Sequence, residues 1–238
     1  MISSPQNEKL KLVRKLRDRR HREREGLFAT EGEDLVEAGL AAGVEPRFRL
    51  SAAGSGLAGE EVEPQLLAEV SALGSGTRAI AVWPRDWADA VEPPCVYLHG
   101  VADPGNVGAI VRTAQALLGG TVVLGPGCAD PFGPKAVRAS MGSIFAQRLL
   151  RAGIEATPGP RAALVAHGGD GLDAASGFAT VCLGAEREGL PDAVLAACDA
   201  RLTIPLRPGG DVERLGAAAA IACERISSPA MREAQPDA

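Results

Sequence analysis

Residues 103–114 read DPGNVGAIVRTA and come just after the apolar run CVYLHGV at 95–101. The change from a continuous apolar run to helical spacing predicts a strand that enters a helix through a short loop. Gly105 and Gly108 allow close backbone approach at this turn, and Asn106 is suited to capping the helix start. Parallel α/β sheets place ligand chemistry at such junctions, so this segment is the first candidate site.

The same alternation of strand and helix continues along the chain. Apolar strands are predicted at 95–101, 121–124, 178–183 and 201–206, and helices at 107–118, 134–141, 191–197 and 215–225. Strands that are apolar on both faces and alternate with helices are typical of a parallel sheet covered on both sides. The sequence therefore predicts an α/β domain over residues 92–238, entered through the stiff linker Glu92-Pro93-Pro94.

Residues 1–91 show shorter elements of both kinds and predict a separate, smaller α/β domain. The predicted helices lie at 7–25, 33–42 and 65–73, the strands at 27–30, 47–50 and 79–83, and a surface loop at 51–59. Within the first helix, Leu10, Val13 and Leu16 recur at three-residue spacing and predict a buried stripe beneath a basic face.

Positive charge is concentrated at the start of the chain. The formal net charge is −5, but residues 1–25 carry nine lysines and arginines against four acids. Such asymmetry favours a basic surface for a nucleic acid, and a solvated helix face is the alternative explanation. The candidate RNA contacts are Arg14, Arg17, Arg19, Arg20 and Arg22.

Cysteine and histidine usage predicts neither a disulfide framework nor a metal site. The five cysteines are scattered without a CxxC pair, and the three histidines lack metal-ligand spacing. This composition favours a reducing cytosol, and we expect a cytoplasmic protein without a metal. The first residues are polar, and the longest late apolar stretch, 215–223, is too short for a bilayer, so no membrane association is expected.

Two further segments stand where a predicted strand ends. LGAEREGLP at 183–191 places Gly184 and Glu186 after a buried strand, where a glycine lets a ligand pack against bare backbone. The second segment, IPLRPGGDVERLGAAAAIACE at 204–224, precedes and begins the final helix. Taken in order, the three segments form a single pattern along the chain.

This ordered pattern resembles the SpoU (TrmH-type) branch of the SPOUT methyltransferases. The stretch at 17–40, RDRRHREREGLFATEGEDLVEAGL, is similar to the small substrate-binding domain, related in fold to a ribosomal protein, that precedes many of their catalytic domains. The resemblance implies a parallel sheet with a deep trefoil knot, S-adenosylmethionine as cofactor, and a homodimer. It also implies methylation of a ribose 2′-hydroxyl in RNA, with rRNA favoured over tRNA.

The resemblance also assigns individual residues. The implied catalytic residues are Asn106, Arg112 and Glu186. The implied cofactor-binding residues are Leu183, Gly184, Ile204, Leu206 and Leu215. Because a guanidinium stays protonated in proteins, we expect Arg112 to position the ribose and stabilise a developing alkoxide.

The third segment departs from the family pattern. Where the family has Ser-Leu-Asn before its last helix, this chain has Arg214-Leu215-Gly216. Two alternatives to an RNA 2′-O-methyltransferase therefore stay open. One is a catalytically impaired RNA-binding protein of the same fold. The other is a methyltransferase for a small molecule, for which the basic N-terminal segment would be superfluous.

Overall fold

A computed structural model of the chain describes residues 1–72, 76–172, 177–205 and 215–226. These residues belong to two compact units. The first comprises Met1–Asp86 together with Asp130–Ala146, and the second comprises Trp87–Ala129 together with Gln147–Ala238. The predicted division into domains at residues 91 and 92 stays a prediction.

The helices and strands alternate along most of the chain. The α-helices are α1 (Glu8–Lys15), α2 (Arg19–Glu25), α3 (Glu33–Ala41), α4 (Pro64–Val70), α5 (Pro104–Leu117), α6 (Pro134–Ala139), α7 (Asp192–Ala196) and α8 (Leu215–Ile226). The strands are β1 (Leu27–Glu31), β2 (Phe48–Ala52), β3 (Glu60–Val62), β4 (Ala79–Pro84), β5 (Cys95–Leu98), β6 (Thr121–Leu124), β7 (Arg148–Arg151), β8 (Arg161–Leu164), β9 (Asp170–Gly171), β10 (Thr180–Leu183) and β11 (Ala200–Thr203).

In the first unit, four strands form a mixed sheet in the order β1-β4-β2-β3. β4 lies antiparallel to both β1 and β2, and β3 is parallel to β2. The predicted stripe of Leu10, Val13 and Leu16 is buried in the core that covers this sheet. Apolar spacing along α1 thus locates one face of the core correctly.

The prediction of one helix over 7–25 is wrong, because the chain breaks into α1 and α2. α1 ends at Lys15, and Asp18 caps the start of α2 by accepting hydrogen bonds from the backbone N–H groups of Arg20 and His21 at 2.8 and 3.3 Å. An aspartate at this position satisfies helix-start N–H groups that would otherwise lack partners. The predicted loop at 51–59 also begins too early, because β2 continues through Ala52.

Residues 130–146 pack on the first unit through aromatic rings. Phe132 lies against Phe28 with ring centroids 5.1 Å apart, and Phe145 meets Trp83 at 4.7 Å. The predicted helix and the turn at Gly142 are both present, and Gly142 adopts a φ of 91°. A segment distant in sequence therefore completes this core.

A buried ion pair fixes α2 to the same segment. Arg22 Nε and one of its terminal nitrogens each lie 2.8 Å from Asp130 Oδ2, while the other terminal nitrogen donates to the carbonyls of Leu16 and Arg17. Asp130 Oδ1 accepts from the Phe132 N–H at 3.1 Å. With both side chains buried, each charge depends on its partner for the solvation it has lost.

The second unit contains a parallel sheet in the order β7-β6-β5-β10-β8-β11-β9. The described strands all pair in parallel with their neighbours. The predicted α/β fold is confirmed, and the four predicted strands and four predicted helices are present with small shifts at their ends. The implied trefoil knot stays a prediction. Among the described helices, none is long and apolar enough to cross a membrane.

Replacing Arg22 by glutamine leaves the Asp130 carboxylate buried without its cation. We expect Arg22→Gln to lower the free energy of unfolding by about 3–5 kcal/mol, the usual cost of breaking a buried pair from one side. Urea denaturation measures this change. Arg20→Gln, on the exposed side of the same helix, is the matched control and should stay within about 0.5 kcal/mol. Equal effects of the two substitutions would contradict the structural role of the pair.

Candidate functional site at the carboxyl edge of the parallel sheet

The parallel strands of the second unit deliver their following loops to one edge of the sheet. Directly after β5, the His99 N–H donates to the Leu183 carbonyl at the end of β10 at 2.9 Å. The next residue, Gly100, donates to the Pro126 carbonyl in the loop after β6, also at 2.9 Å. Three loops that are distant in sequence therefore meet where α/β sheets bind ligands.

Helix α5 begins at this edge, and its cap is Asp103. Asp103 Oδ1 accepts from the backbone N–H groups of Gly105 at 2.5 Å and Asn106 at 3.3 Å, and Pro104 occupies the first helical turn. The expectation that Asn106 caps the helix is therefore wrong. Because Asp103 performs this role, the Asn106 side chain remains available for other contacts.

The side chains of Asn106 and Glu186 are directly bonded. Asn106 Nδ2 donates to Glu186 Oε1 at 2.8 Å, although the two residues are 80 positions apart in sequence. Two of the three implied catalytic residues are thus brought together. The bond fixes the orientation of the Asn106 amide and leaves its carbonyl oxygen to accept a hydrogen bond from a ligand.

The loop after β10 is a tight turn that requires glycine at Gly184. Ala185 and Gly189 exchange two backbone hydrogen bonds of 3.2 and 2.9 Å, which close the turn on itself. A Cβ at Gly184 would lie 2.2 Å from the Gly189 carbonyl carbon, and Gly189 adopts a φ of 68°. Glu186 is exposed at the tip of a turn whose backbone leaves no space for a larger residue at its base.

Arg112 lies six residues beyond Asn106, about 9 Å further along α5. Its side chain is exposed and forms no hydrogen bond or ion pair with the part of the chain that the structure describes. It is therefore placed on the same helix as Asn106 but not within the Asn106–Glu186 contact.

Only some of the residues that the resemblance implies for cofactor binding belong to the part of the chain that the structure describes. Leu183 is buried at the end of β10, Ile204 directly follows β11, and Leu215 begins α8, the latter two half-buried. Leu206 and Arg214 lie outside the described residues.

Gly216, which stands where the family pattern has asparagine, allows close packing of two helices. α8 packs along α5, and a Cβ at Gly216 would lie 3.2 Å from the Cβ of Ala109, which is midway between Asn106 and Arg112. This close approach leaves little space for an asparagine side chain in the same direction. The first turn of α8 therefore offers small residues, and no amide, to this face of α5.

The candidate RNA contacts in the first unit fall into two groups. Arg17, Arg19 and Arg20 are exposed and Arg14 is half-buried. Arg22 does not fit the surface role predicted for it, because its guanidinium is buried against Asp130. Periodicity alone did not separate it from the others, since its partner is 108 residues away.

A pair that sequence reasoning missed lies beside the site. The Tyr97 hydroxyl and His99 Nδ1 are 3.1 Å apart, with Tyr97 buried in β5 and His99 half-buried after it. Burial raises the pKa of Tyr97 to about 12, so the phenol stays neutral in the physiological range. Their positions two residues apart, which place both side chains on one face of the strand, were the available signal.

The described residues contain no group of three or more His, Cys, Asp or Glu side chains suited to holding a metal ion. The polar groups at the carboxyl edge are instead an amide, a carboxylate, an imidazole and backbone N–H groups. Such groups are suited to binding and orienting an organic ligand.

A parallel sheet with a polar, glycine-dependent site at its carboxyl edge defines a ligand-binding α/β domain, and comparison with known proteins specifies which one. The model of the SpoU rRNA Methylase family matches residues 93–224, more than half of the chain, and the chain belongs to this family. An MRM3-like substrate binding domain matches residues 7–81. The family membership indicated by the three sequence segments is confirmed.

Known relatives match this chain at moderate identity. An uncharacterized tRNA/rRNA methyltransferase of Mycobacterium tuberculosis is 35% identical over 139 residues, which are 52% of this chain and 48% of that protein. The 23S rRNA guanosine 2′-O-methyltransferase RlmP of Bacillus subtilis is 31% identical over 164 residues, 60% of this chain and 62% of that protein. The aligned part of the chain thus spans about half the length of the mycobacterial relative.

The fold is shared over nearly the full length with a solved structure. The crystal structure of an AdoMet-bound rRNA methyltransferase from Sinorhizobium meliloti superposes with a TM-score of 0.82 at 24% identity, covering 99% of this chain and 98% of that one. At this identity the likeness shows the fold.

A methyl group at Gly184 would collide with the backbone of its own turn. We expect Gly184→Ala to destabilise the protein by about 1–3 kcal/mol, in the range of other overpacking substitutions. Thermal or urea unfolding measures the change. Gly171→Ala is the matched control, because a Cβ there would meet no described atom within 4 Å. A Gly184→Ala protein as stable as Gly171→Ala would show that the turn relaxes freely.

Tyr97 is the only tyrosine of the chain, so its ionisation can be followed directly. Its pKa is raised to about 12 by burial, above the value of about 10 for an exposed tyrosine. The resulting stabilisation is complete below pH 10 and is lost as the pH rises through 12. Ultraviolet titration of the native protein should show phenolate only near pH 12, and titration in urea should show it near 10. A native midpoint near 10 would contradict this burial.

Proposed function

We propose that the protein is an RNA 2′-O-methyltransferase that uses S-adenosylmethionine, with ribosomal RNA as its substrate. The observation that carries this proposal is the 2.8 Å bond between Asn106 and Glu186, which joins the first and second sequence segments at the carboxyl edge of the sheet. Membership of the SpoU family supports the reaction type. The name of the Bacillus relative supports a ribose 2′-hydroxyl of 23S rRNA as the kind of target.

The residues at this edge fit S-adenosylmethionine. Gly184 is buried and keeps the turn after β10 tight, and Ile204 and Leu215 provide half-buried apolar surface suited to an adenine ring. Glu186 provides a carboxylate that favours a sulfonium cation nearby. The similar Sinorhizobium structure holds the same cofactor, which supports this assignment. When bound, the cofactor supplies an electrophilic methyl group.

The chain's own side chains then position the nucleotide. Because Asn106 gives its N–H to Glu186, its carbonyl oxygen is free to accept a hydrogen bond from the 2′-hydroxyl of the ribose. Arg112 is exposed and offers up to five N–H donors to the ribose and its adjacent phosphate. Its fixed positive charge stabilises the oxygen as that oxygen gains negative charge. Orientation of the two reactants is the main catalytic contribution of this arrangement.

Residues 1–91 act in this proposal as the RNA substrate-binding domain. The match to a substrate binding domain over residues 7–81 supports this role. Arg17, Arg19 and Arg20 are exposed and Arg14 is half-buried, so these four side chains are the ones proposed to meet phosphates. Arg22 is excluded from this set because its buried guanidinium is paired with Asp130. The proposal includes a homodimer and a cytoplasmic location.

Because the third sequence segment has Arg214-Leu215-Gly216 where the family has Ser-Leu-Asn, the polar contacts to the nucleotide are expected from the first and second segments. With Gly216 packed against Ala109, α8 contributes apolar contact instead of an amide near this face of α5. The Asn106–Glu186 pair and Arg112 are then the polar groups on which turnover depends. Loss of one such preorganised group reduces rates by about 10²–10³ in other enzymes.

The test combines cofactor binding with methyl transfer. Titration calorimetry with S-adenosylmethionine and transfer of a labelled methyl group to purified rRNA are measured on the same preparation. Asn106→Ala should lower the transfer rate by about 10²–10³ with little change in cofactor affinity. Arg148→Ala is the matched control, because Arg148 is exposed at the amino end of β7, the opposite end of the strands from the site.

The outcomes separate the proposal from its two alternatives. Cofactor binding without methyl transfer to any rRNA, tRNA or transcript would favour an impaired RNA-binding protein. Transfer of the methyl group to a small molecule, with no salt-sensitive affinity for RNA, would favour a small-molecule methyltransferase. Failure to bind the cofactor at millimolar concentration would contradict a methyltransferase of any kind.

A further inference from the structure

Two cysteines of the second unit face each other across the base of the site loop. Cys182 lies in β10, two residues before Gly184, and Cys198 follows α7. Their Sγ atoms are 3.6 Å apart, and both are free thiols. Cys182 is fully buried, whereas Cys198 is half-buried and can be reached from solvent. The two residues are 16 positions apart, and the segment between them contains the whole turn from Gly184 to Gly189.

The surroundings of this pair favour an ionised Cys198. The hydrogen bond with Cys182 is the largest influence and lowers the pKa of Cys198, because the Cys182 S–H can donate to the sulfur once it is charged. The positive charge of Arg161 lowers that pKa further, against the opposing effects of partial burial and Asp199. The same bond, together with burial, raises the pKa of Cys182.

Arg161 is held near the pair by backbone and side-chain contacts. Its guanidinium donates to the Thr157 hydroxyl at 3.0 Å, to the Thr157 carbonyl at 2.5 Å and to the Ala197 carbonyl at 3.4 Å. Since Ala197 directly precedes Cys198, the cation is fixed close to this thiol. A partly exposed sulfur with a neighbouring cation is the setting in which protein thiols are reactive.

The other three cysteines have different partners. Cys95 is buried and bonded to the Thr180 hydroxyl at 3.1 Å, and the half-buried Cys128 donates to the Leu98 carbonyl at 3.3 Å. Cys223 is buried in α8, and burial raises its pKa to about 12. Proximity of two sulfurs, access from solvent and a neighbouring cation therefore coincide at Cys182 and Cys198.

We propose that Cys182 and Cys198 form a redox-active dithiol that a peroxide converts reversibly into a disulfide. The Cys198 thiolate attacks one peroxide oxygen and breaks the O–O bond, giving a sulfenic acid and, after protonation, one water. The Cys182 sulfur then displaces the hydroxyl group, forming the S–S bond and releasing a second water with the Cys182 proton. Two thiols are oxidised and one peroxide is reduced to two waters.

The disulfide closes a covalent ring around the site turn. The sulfurs must approach from 3.6 Å to about 2.05 Å, which draws Cys182 in β10 and Cys198 beyond α7 together. The hydrogen-bonded turn between Ala185 and Gly189 is tied within that ring, so its freedom to open decreases. An effect on S-adenosylmethionine affinity rests on the proposed function, whereas formation of the disulfide does not.

The test treats the reduced protein with hydrogen peroxide and analyses it by intact mass and non-reducing peptide mapping. A loss of about 2 Da, a cross-linked peptide pair containing Cys182 and Cys198, and full reversal by a thiol reductant are expected. Hydrogen exchange of residues 184–190 should slow in the oxidised protein. Cys128→Ala, which removes another half-buried thiol, should oxidise like the unchanged protein.

Substitution of either cysteine tests whether both sulfurs are required for the oxidation. Cys198→Ala and Cys182→Ala should each abolish the loss of about 2 Da. Cys198→Ser, which nearly keeps the size of this half-buried side chain, should have the same effect, and urea unfolding shows that each variant is folded. Accumulation of sulfinic acid at Cys198 without the cross-link, or a cross-link that involves another cysteine, would overturn the proposal. Calorimetry with S-adenosylmethionine on the reduced protein is recorded in parallel, so a failure of the proposed function is recognised separately from a failure to form the disulfide.

Discussion

The parallel pairing of β5 with β10 is the constraint on which the candidate site depends. The pairing sets Cys182 beside Tyr97 and Leu183 beside Leu98, and it continues one residue beyond the strands through the His99 N–H. Because side chains alternate along a strand, a shift of one residue would exchange the side chains that pack on the two buried faces of the sheet. The same register carries the Asn106 helix and the Glu186 turn to one edge, where a 2.8 Å hydrogen bond joins them.

The first unit is organised by a different kind of interaction. Its sheet and α-helices bury aliphatic side chains, but residues 130–146 are fixed to it by the Arg22–Asp130 pair and by the aromatic contacts of Phe132 and Phe145. A buried ion pair is weak evidence for added stability, since desolvation of both charges offsets their attraction. Its clearer consequence is geometric, because the observed contact of α2 with residues 130–146 satisfies both buried charges. One arginine of the basic segment therefore serves the fold, while its neighbours remain at the surface.

The departure of the third segment from the family pattern has a structural counterpart. Gly216 allows α8 to approach α5 at Ala109, and this contact replaces a polar side chain with close packing of small residues. The remaining polar groups lie on α5 and on the turn after β10. The same turn lies between Cys182 and Cys198 in sequence, so a disulfide between those sulfurs would restrict its backbone. One short segment of backbone thus connects the proposed methyl transfer with the proposed redox chemistry.

The sequence by itself determined the α/β class, the family, the four main strands of the parallel sheet and the positions of the site residues along the chain. These follow from apolar periodicity and local motifs, which act over a few residues. Only the tertiary structure decided that Asn106 bonds to Glu186 and that Arg22 is buried. The capping of α5 by Asp103 instead of Asn106 is a local contact between neighbouring residues. The short strands β7, β8 and β9 were missed because they are brief and partly exposed, with Arg148 and Arg151 at the ends of β7. The Asn106–Glu186 bond, the Arg22–Asp130 pair and the pairing of these strands depend on contacts between residues far apart in sequence, and local patterns carry no record of which distant group will be the partner.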